Sequence, residues 1–409
     1  MKKIYLLIII ICSITALLID NYRETELVYI EIGKDEKEIR KEISSHNSDY
    51  VITTKETNLY DKNYKKIGTV NKDIKLKLDN KDLKITSKTK YFKIDNLNYY
   101  ISYKDVKPST QYEINKRYKD YIVFNENIKT NKETILYKDN KYVFKLNKSM
   151  SLPIIIKDNN KLYVEYNNEL YYVKKKEVKV IDSVNTDVET RDNIRTLTYH
   201  AAYKKGETCR NAAICQKVEM FDEQMKYLKD NNYLTLTLDE VEMFLDKKIR
   251  IPEKTIVITM DDGNLALNEI EILEKYQLYA TYFIITGRYD IPRKSDYVEY
   301  ASHTDSLHVN YKCAGGNQGG LLLCEDEDKV IKDLKLSQEK LGGSKHFAYP
   351  FFDYNERAIK LLKECGFTLA YVGQASTDGY ATYTTNRYRM PRKTVFANYN
   401  MNQFINLLK

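Results

Sequence analysis

The sequence predicts an α/β protein: a C-terminal half built on a parallel sheet or barrel, two small all-β modules before it, and a hydrophobic segment at the N-terminus. Three patterns support this. An apolar run opens the chain, and residues from about 51 to 182 alternate apolar and polar side chains with a period of two. From about residue 190, strand-like apolar runs alternate with amphipathic helices. A chain of 409 residues has room for two or three such domains.

The N-terminal segment has the pattern of an export signal. Two lysines precede an apolar run over residues 4–19, and charged residues close it. Residues 1–25 are therefore interpreted as a signal peptide or a signal anchor. The run is slightly short for a membrane span, but no A-x-A cleavage site follows it, which favours a retained anchor. Residues 34–45 are charged and helix-prone, and residues 26–50 are interpreted as a stalk. We expect the protein at the extracellular face of the membrane or secreted to the cell wall.

The next region contains an internal repeat. The sequence KETNLY at residues 55–60 is matched by KETILY at residues 132–137. The repeat predicts two tandem β modules, at 51–110 and 120–184. They resemble the bacterial SH3-like domains that associate with cell walls. Two roles stay open: exposed tyrosines could bind a glycan or a peptide, or the modules could be a spacer that holds the rest of the chain away from the membrane.

Residues 190–409 have the alternation typical of a parallel α/β sheet. Strands are predicted at 196–199, 255–260, 280–285 and 346–349, and helices at 265–276, 325–341 and 355–365. In such folds the chemistry collects where the parallel strands end. The segments that follow these strands are therefore where functional residues are expected.

Polar, reactive side chains are predicted after three strands, at residues 259–263, 302–308 and 347–351. Asp261 and Asp262 directly follow an apolar strand, and two adjacent carboxylates repel each other, so a cation is their natural companion. His303 and His308 lie five residues apart after another strand. One carboxylate and two imidazoles form a facial metal site with open positions for water and substrate. The second carboxylate would remain available as a base.

Residues 196–409 resemble the polysaccharide deacetylase family, also called the NodB-homology domain or carbohydrate esterase family 4. Residues 259–263, TMDDG, resemble its first motif, with Met260 in place of an aromatic residue. The segment from His303 to His308 resembles its histidine motif, with the longer spacing of the branch that deacetylates poly-β-1,6-N-acetylglucosamine. Residues 348–350 and 198–200 resemble the third motif and the opening strand. The resemblance implies a distorted (β/α) barrel for residues 190–409.

The resemblance also implies roles for individual residues. Asp262, His303 and His308 would hold a divalent metal ion, for which zinc (Zn²⁺) is expected, and Asp261 would be the general base. Tyr349 and Pro350 would line the substrate groove, with a backbone N–H near Tyr349 holding the oxyanion.

Two departures from the family pattern leave roles open. Ala348 stands where many members carry an arginine that orients the base, so Arg389 or Arg392 is expected to supply that charge and to contact substrate, unless the two form only a surface cluster. No histidine follows His346, which is itself expected to be structural. The proton donor would then be Asp261 itself or His200, and His200 is equally interpretable as a core histidine.

The function that follows is metal-dependent N-deacetylation of N-acetylglucosamine residues in an extracellular glycan. Its polymer would be peptidoglycan or poly-N-acetylglucosamine. An O-acetyl esterase acting on a wall polymer and a catalytically inactive glycan-binding protein remain as alternatives. The net charge of +8 is compatible with anionic wall polymers. Basic and acidic residues are interspersed without a nucleic-acid motif, so nucleic-acid binding is not expected.

Export permits disulfides. The close pairs Cys209–Cys215 and Cys313–Cys324 would each close a short loop, and Cys365 is expected to be a buried free thiol. A cysteine zinc site is disfavoured because the chain contains no C-x-x-C.

Overall fold

The computed structural model describes most of the chain beyond residue 49. The described residues are 50–79, 91–94, 99–109, 124–130, 133–146, 150–166, 169–183, 189–209, 211–314, 320–373 and 378–409. They fall into two compact units, one up to residue 183 and the other from residue 189. The predicted signal or anchor segment, and the predicted stalk up to residue 49, lie outside the described residues. Within the described ranges, no helix is long and apolar enough to cross a membrane.

The first unit is built from β-strands in two consecutive halves. The strands of the first half are β1 (Tyr50–Thr53), β2 (Thr57–Tyr60), β3 (Lys66–Val70), β4 (Lys75–Lys77), β5 (Tyr91–Ile94), β6 (Tyr99–Ser102) and β7 (Val106–Ser109). Those of the second half are β8 (Glu126–Lys129), β9 (Thr134–Lys138), β10 (Lys141–Leu146), β11 (Ser151–Asp158), β12 (Lys161–Tyr166), β13 (Glu169–Lys174) and β14 (Lys179–Asp182).

The two halves repeat the same pairing. Strand β1 pairs with β4 and β7, and its counterpart β8 pairs with β11 and β14. A single 3₁₀ turn precedes the last strand of each half, at Tyr103–Asp105 and at Lys175–Glu177. The internal repeat seen in the sequence therefore corresponds to a structural repeat. Its likeness to SH3-like domains stays a prediction.

The two halves are joined in one compact unit. Strand β3 pairs with β10, with Val70 opposite Phe144, so one sheet runs through both halves. Leu59 and its repeat counterpart Leu136 are fully buried in one shared hydrophobic core. Short strands with one apolar face need a second layer to bury that face. Here buried side chains from both halves form that core together.

The second unit mixes strands and helices. Its strands are β15 (Thr190–Arg191), β16 (Asn193–Tyr199), β17 (Ala201–Tyr203), β18 (Cys215–Lys217), β19 (Leu234–Thr235), β20 (Ile251–Pro252), β21 (Thr255–Asp262), β22 (Ala280–Ile284), β23 (Val298–Ser302), β24 (His346–Ala348), β25 (Leu369–Tyr371), β26 (Tyr380–Thr382) and β27 (Lys393–Thr394). Its helices are α1 (Val218–Asp230), α2 (Leu238–Leu245), α3 (Ala266–Tyr276), α4 (Glu327–Lys340), α5 (Glu356–Glu364) and α6 (Met401–Leu407).

Six of these strands form a parallel sheet in the order β16-β21-β22-β23-β24-β25. Strand β22 is buried at every position, as expected for a parallel strand covered on both faces. Met390 bridges to Tyr371 of β25, and a few residues later β27 pairs with β16. The segment from 390 to 394 therefore connects the two ends of the parallel sheet, which curls on itself. The predicted parallel α/β architecture is confirmed.

The cysteine pairs of the sequence analysis are bonded in the structure. Cys209 is joined to Cys215 and Cys313 to Cys324, with Cα–Cα distances of 6.3 and 5.7 Å. Cys365 is a free thiol at the end of α5, half-buried rather than buried. Burial raises the pKa of the Cys365 thiol, which keeps it protonated and unreactive near neutral pH.

Candidate metal and catalytic site

Two adjacent carboxylates occupy different environments at the carboxyl end of β21. The strand is buried as far as Asp261, which is 1% exposed. Asp262 has a φ of 76°, a left-handed conformation that aspartate adopts more readily than most residues, and Gly263 continues the turn with a φ of 104°. This turn leaves Asp261 in the interior, whereas the side chain of Asp262 is 33% exposed.

Asp261 forms a buried bidentate ion pair with Arg392. The two guanidinium nitrogens Nη1 and Nη2 donate to Oδ1 and Oδ2 of Asp261 at 2.6 and 2.8 Å. The Nε of Arg392 donates to the carbonyl of Val372 at 3.2 Å, which fixes the plane of the guanidinium. Arg392 is fully buried and belongs to the segment that connects the ends of the sheet. Of the two arginines predicted to orient the base, the structure therefore brings Arg392 to Asp261.

This pair keeps Asp261 ionised. Burial by itself raises the pKa of a carboxyl group, but the charge and hydrogen bonds of Arg392 outweigh it, and the pKa of Asp261 lies below its usual range. A buried carboxylate that stays charged at neutral pH can accept a proton from a neighbouring water. The positioning of Arg392 thus gives Asp261 the state that a general base requires.

Asp262, His303 and His308 converge on one point. Nε2 of His303 lies 3.7 Å and Nε2 of His308 lies 3.4 Å from Oδ1 of Asp262. The two imidazole rings are 4.8 Å apart between centroids. These separations exceed a hydrogen bond but are close to the spacing of about 3.3–3.5 Å between ligands that share a small divalent ion. The three side chains have the geometry of a metal-ligand set.

His303 is held in a tautomer that can bind a metal, and both histidines are neutral. Nδ1 of His303 lies 2.8 Å from the carbonyl oxygen of Ala348, which can only accept, so Nδ1 carries the proton and the lone pair of Nε2 faces Asp262. Burial lowers the pKa of His303 to about 4. Burial, with the nearby charge of Arg288, lowers the pKa of His308 to about 4 as well. Both imidazoles are therefore neutral at pH 7, and the donor set of one carboxylate and two imidazoles fits a divalent ion such as zinc.

Two phenylalanines lie beside this cluster. The sequence did not predict them as site residues. Phe351 and Phe352 both have positive φ values, 56° and 62°, which is uncommon for bulky residues and costs on the order of 1–3 kcal/mol for each. The ring of Phe351 lies 4.5 Å from that of His308, and the ring of Phe352 lies 5.4 Å from the guanidinium of Arg392. No sequence pattern indicates a positive φ at a phenylalanine, so nothing in the chain marked them in advance.

The remaining predicted site residues have mixed outcomes. His200 follows β16, and its ring lies 6.2 Å from that of Phe352. Its Nδ1 is buried without a hydrogen-bond partner within the described part of the chain. Arg389 instead forms an ion pair with Glu356. Arg389 is thus not the arginine that orients Asp261, and its contact with substrate stays a prediction.

The expectation for Tyr349 is corrected. Its backbone N–H donates to the carbonyl of Tyr371 at 3.0 Å as part of the sheet, and its hydroxyl donates to the carbonyl of Tyr388 at 3.1 Å. Its side chain is fully buried. Neither group of Tyr349 is available to a substrate in this arrangement, because both continue the core. The adjacent Pro350 is also buried. It packs against Gly320 so closely that a Cβ added to that glycine would lie 2.9 Å from the Cβ of Pro350. The role of Pro350 in lining the substrate groove stays a prediction.

The curled parallel sheet thus carries an acid–arginine pair and an Asp-His-His cluster at the carboxyl ends of its strands, an arrangement that can support metal-assisted hydrolysis. Residues 248–370 match the family model described as polysaccharide deacetylase, so this part of the chain is a polysaccharide deacetylase domain. The poly-beta-1,6-N-acetyl-D-glucosamine N-deacetylase of Staphylococcus aureus is 29% identical over 213 residues, which cover 46% of this chain and 70% of the relative.

Solved structures of deacetylases also match. The deacetylase PplD of Streptococcus pyogenes, in complex with acetate, matches with a TM-score of 0.44 and 20% identity, over 53% of this chain and 98% of its own. A polysaccharide deacetylase from Bacillus cereus matches with a TM-score of 0.43 and 17% identity, over 80% of this chain and 97% of its own.

Proposed function

We propose that this protein hydrolyses the N-acetyl groups of N-acetylglucosamine residues in an extracellular or cell-wall polysaccharide. The observation that carries the proposal is the pairing of a buried, ionised Asp261 with the Asp262–His303–His308 cluster beside it. The family and the activity named for the Staphylococcus aureus relative support an amide as the bond that is cleaved. The same relative favours poly-β-1,6-N-acetylglucosamine over peptidoglycan as the polymer.

The cluster supports a divalent metal ion as the cofactor. A divalent ion bound by Asp262, His303 and His308, for which we propose zinc, would polarise the acetyl carbonyl and lower the pKa of the attacking water. Asp261 accepts the proton of that water, and Arg392 holds the carboxylate oriented and charged while it does so. The ring of Phe351 packs against the imidazole of His308.

The proton must then reach the leaving amine of the sugar. His200 is our candidate for this step, because its Nδ1 has no hydrogen-bond partner among the described residues and its ring lies next to Phe352 at the same edge of the sheet. Return of the proton by Asp261 itself is the alternative. The variant His200→Asn separates these alternatives. If His200 is the proton donor, the variant should lose most of its turnover with metal binding unchanged. If Asp261 returns the proton, turnover should change little.

The proposal is tested by measuring acetate release. Zinc-loaded protein is incubated with β-1,6-linked N-acetylglucosamine oligomers, with peptidoglycan fragments and with an O-acetylated wall polymer. Acetate release from the first, absent in Asp261→Asn, supports the proposal. Release only from the O-acetylated polymer would make the protein an esterase. Binding of oligomers with no release from any substrate would make it an inactive glycan-binding protein.

We also propose that the first unit binds the glycan at the cell surface. Tyr60, Tyr64, Tyr91 and Tyr100 form one aromatic cluster, with Tyr64 stacked on Tyr91 at 4.7 Å. Tyr64 is 53% exposed and has a φ of 58°, so backbone strain presents a large aromatic ring to solvent. Exposed tyrosine rings stack well on the apolar faces of sugars, and this favours glycan binding over a pure spacer.

The second half of the same unit supports this choice by contrast. At the corresponding positions Tyr137 and Tyr172 stack at 5.3 Å, but Lys174 lies 4.8 Å over the ring of Tyr137 and Lys161 lies 4.3 Å over that of Tyr172. Those rings are covered by the protein itself. The open cluster of the first half is therefore the one proposed to bind sugar.

A further inference from the structure

A second cluster, of two carboxylates and one imidazole, lies where the parallel strands of the same sheet begin. Strand β24 has three residues, and its carbonyl end holds the oxygen of Ala348 that orients the catalytic-site His303. His346 begins the same strand, and is therefore displaced by about 7 Å toward the amino ends of the strands. Its side chain faces Asp239 and Glu242 on helix α2.

Helix α2 presents these two carboxylates together. The helix begins after Thr237, whose side chain and that of Glu240 cap it reciprocally, so its first turn is firmly set. Asp239 and Glu242 are three residues apart and so lie on one face of the helix. The capped first turn fixes the positions from which both carboxylates reach His346.

The distances from the imidazole to the two carboxylates resemble those in the Asp262 cluster. Nε2 of His346 lies 3.7 Å from Oδ1 of Asp239 and 3.8 Å from Oε1 of Glu242. The corresponding Asp262 distances in the catalytic cluster are 3.4 and 3.7 Å. Both clusters therefore leave a similar gap, which is too wide for a direct hydrogen bond and within a few tenths of an ångström of ligands around one ion.

Two buried atoms in this cluster lack a partner. The side chain of His346 is only 6% exposed, and its Nε2 makes no hydrogen bond with any described residue. The same is true of Oε1 of Glu242, the oxygen that faces it. Buried polar atoms are rarely left unsatisfied because each costs on the order of 1–3 kcal/mol. A cation between them would satisfy both at once.

The neighbouring Lys345 contacts both carboxylates of the cluster. Lys345 Nζ lies 2.8 Å from Oε2 of Glu242, which is the oxygen turned away from His346. It also lies 3.0 Å from Oδ1 of Asp239, but the Asp239 side chain is 65% exposed and can turn its other oxygen toward the lysine. Two carboxylates and one ammonium leave a net negative charge.

We propose that Asp239, Glu242 and His346 bind a second divalent cation, best matched by zinc. One imidazole and two carboxylates form a ligand set that zinc accepts, with open positions left for water. The ion would fix helix α2 to the first residue of β24, the strand whose other end orients His303. Its role is therefore to stabilise the sheet that supports the catalytic cluster, and it takes no part in the chemistry.

The test counts zinc ions per protein molecule and does not depend on activity. Full-length protein is stripped with a chelator and titrated with zinc against a chromophoric competitor. We expect about two tight ions for the wild type, about one for His308→Ala, about one for His346→Gln, and none for the double variant. His46→Gln is the matched histidine control and should keep both ions. A single tight ion in the wild type, or no loss of an ion in His346→Gln, would overturn the proposal.

A second measurement covers the case in which His346→Gln folds poorly. Asp239→Asn changes an exposed side chain and should not disturb the fold. In the His308→Ala background, added zinc should raise the melting temperature, and Asp239→Asn in that background should remove most of the increase. An equal increase with and without Asp239→Asn would assign the stabilisation to another site and would contradict the proposal.

Discussion

Arg392 and Asp261 form a bidentate ion pair, and both residues are almost completely buried. They are 131 positions apart in the chain. A lone buried carboxylate would tend to be protonated, and a lone buried guanidinium would be costly to desolvate. Each residue is therefore stable in its charged form only because of the other. The state of the proposed catalytic base is thus set by the segment that connects the two ends of the sheet.

The first prediction concerns the pH dependence of activity in Arg392→Lys. The lysine retains a positive charge but loses the two parallel hydrogen bonds. Because Arg392 lowers the pKa of Asp261, weakening the pair should raise that pKa, and the base form should appear only at higher pH. The acidic limb of the kcat/KM profile should therefore move to higher pH. An unshifted limb with reduced turnover would mean that Asp261 is not the group that titrates.

The variant Arg392→Ala tests how much the Asp261–Arg392 ion pair contributes to the free energy of unfolding. It leaves a buried carboxylate without its partner, a change that typically costs about 3–5 kcal/mol. Chemical denaturation should report a loss of this size, whereas Arg389→Ala, which removes an ion pair at the surface with Glu356, should change stability by less than about 1 kcal/mol.

The second prediction concerns the ligands of the catalytic cluster. His308→Ala and His303→Ala should each remove one bound zinc ion and all measurable activity, because each leaves only two of the three proposed protein ligands. Zinc content by atomic emission and acetate release should fall together. If His308→Ala keeps the zinc content of the wild type, the ligand lies elsewhere in the histidine motif.

The third prediction concerns the cysteines. Peptide mapping of exported protein under non-reducing conditions should recover Cys209 linked to Cys215 and Cys313 linked to Cys324. Cys365 should react with a thiol reagent only after unfolding or slowly at high pH, because burial raises its pKa. Any disulfide that contains Cys365 would contradict the assignment.

The fourth prediction concerns the exposed tyrosine cluster. Tyr64→Ala should weaken binding of N-acetylglucosamine oligomers to a catalytically inactive full-length variant, because it removes the most exposed ring of the cluster. A loss on the order of tenfold is expected for a central aromatic contact. Tyr137→Ala, which removes a ring already covered by Lys174, is the matched control and should bind as before. Equal binding by both variants would favour the spacer role.

The sequence made parts of this site predictable and left others hidden. Asp261, Asp262, His303 and His308 lie within short segments after strands, so a local pattern was enough to group them. Arg392 was only one of two candidates, because a long-range ion pair leaves no local pattern. His346 was expected to be structural, since its partners Asp239 and Glu242 lie about a hundred positions earlier on a helix whose apolar pattern does not reveal which face meets the sheet.

The fold was predictable to a similar degree. Periodicity distinguished the β-rich first unit from the parallel α/β second unit because side-chain alternation directly reflects which faces are buried. The joining of the two repeats through β3 and β10 was not predictable, because strand pairing between repeats depends on which apolar faces meet in three dimensions. The same limit explains why Tyr349 was expected in the groove: its segment resembles a motif, but its side chain continues into the core.

The last prediction separates Asp261 from Asp262, which are neighbours in sequence with different surroundings. Asp261→Asn keeps the shape of the side chain but removes its charge, and its carboxylate is bound to Arg392 and not to the histidines. This variant should bind zinc nearly normally and lose activity by about 10²–10⁴-fold, the usual contribution of a general base.

Asp262→Asn should behave in the opposite way. Its oxygen is the one that both histidines face, so the variant should bind zinc more weakly, and excess zinc should partly restore its rate. Zinc affinity and acetate release are measured for both variants at several zinc concentrations. If Asp261→Asn loses the ion while Asp262→Asn keeps it, the two roles are exchanged. If neither substitution changes turnover, the hydrolytic function fails and glycan binding takes its place.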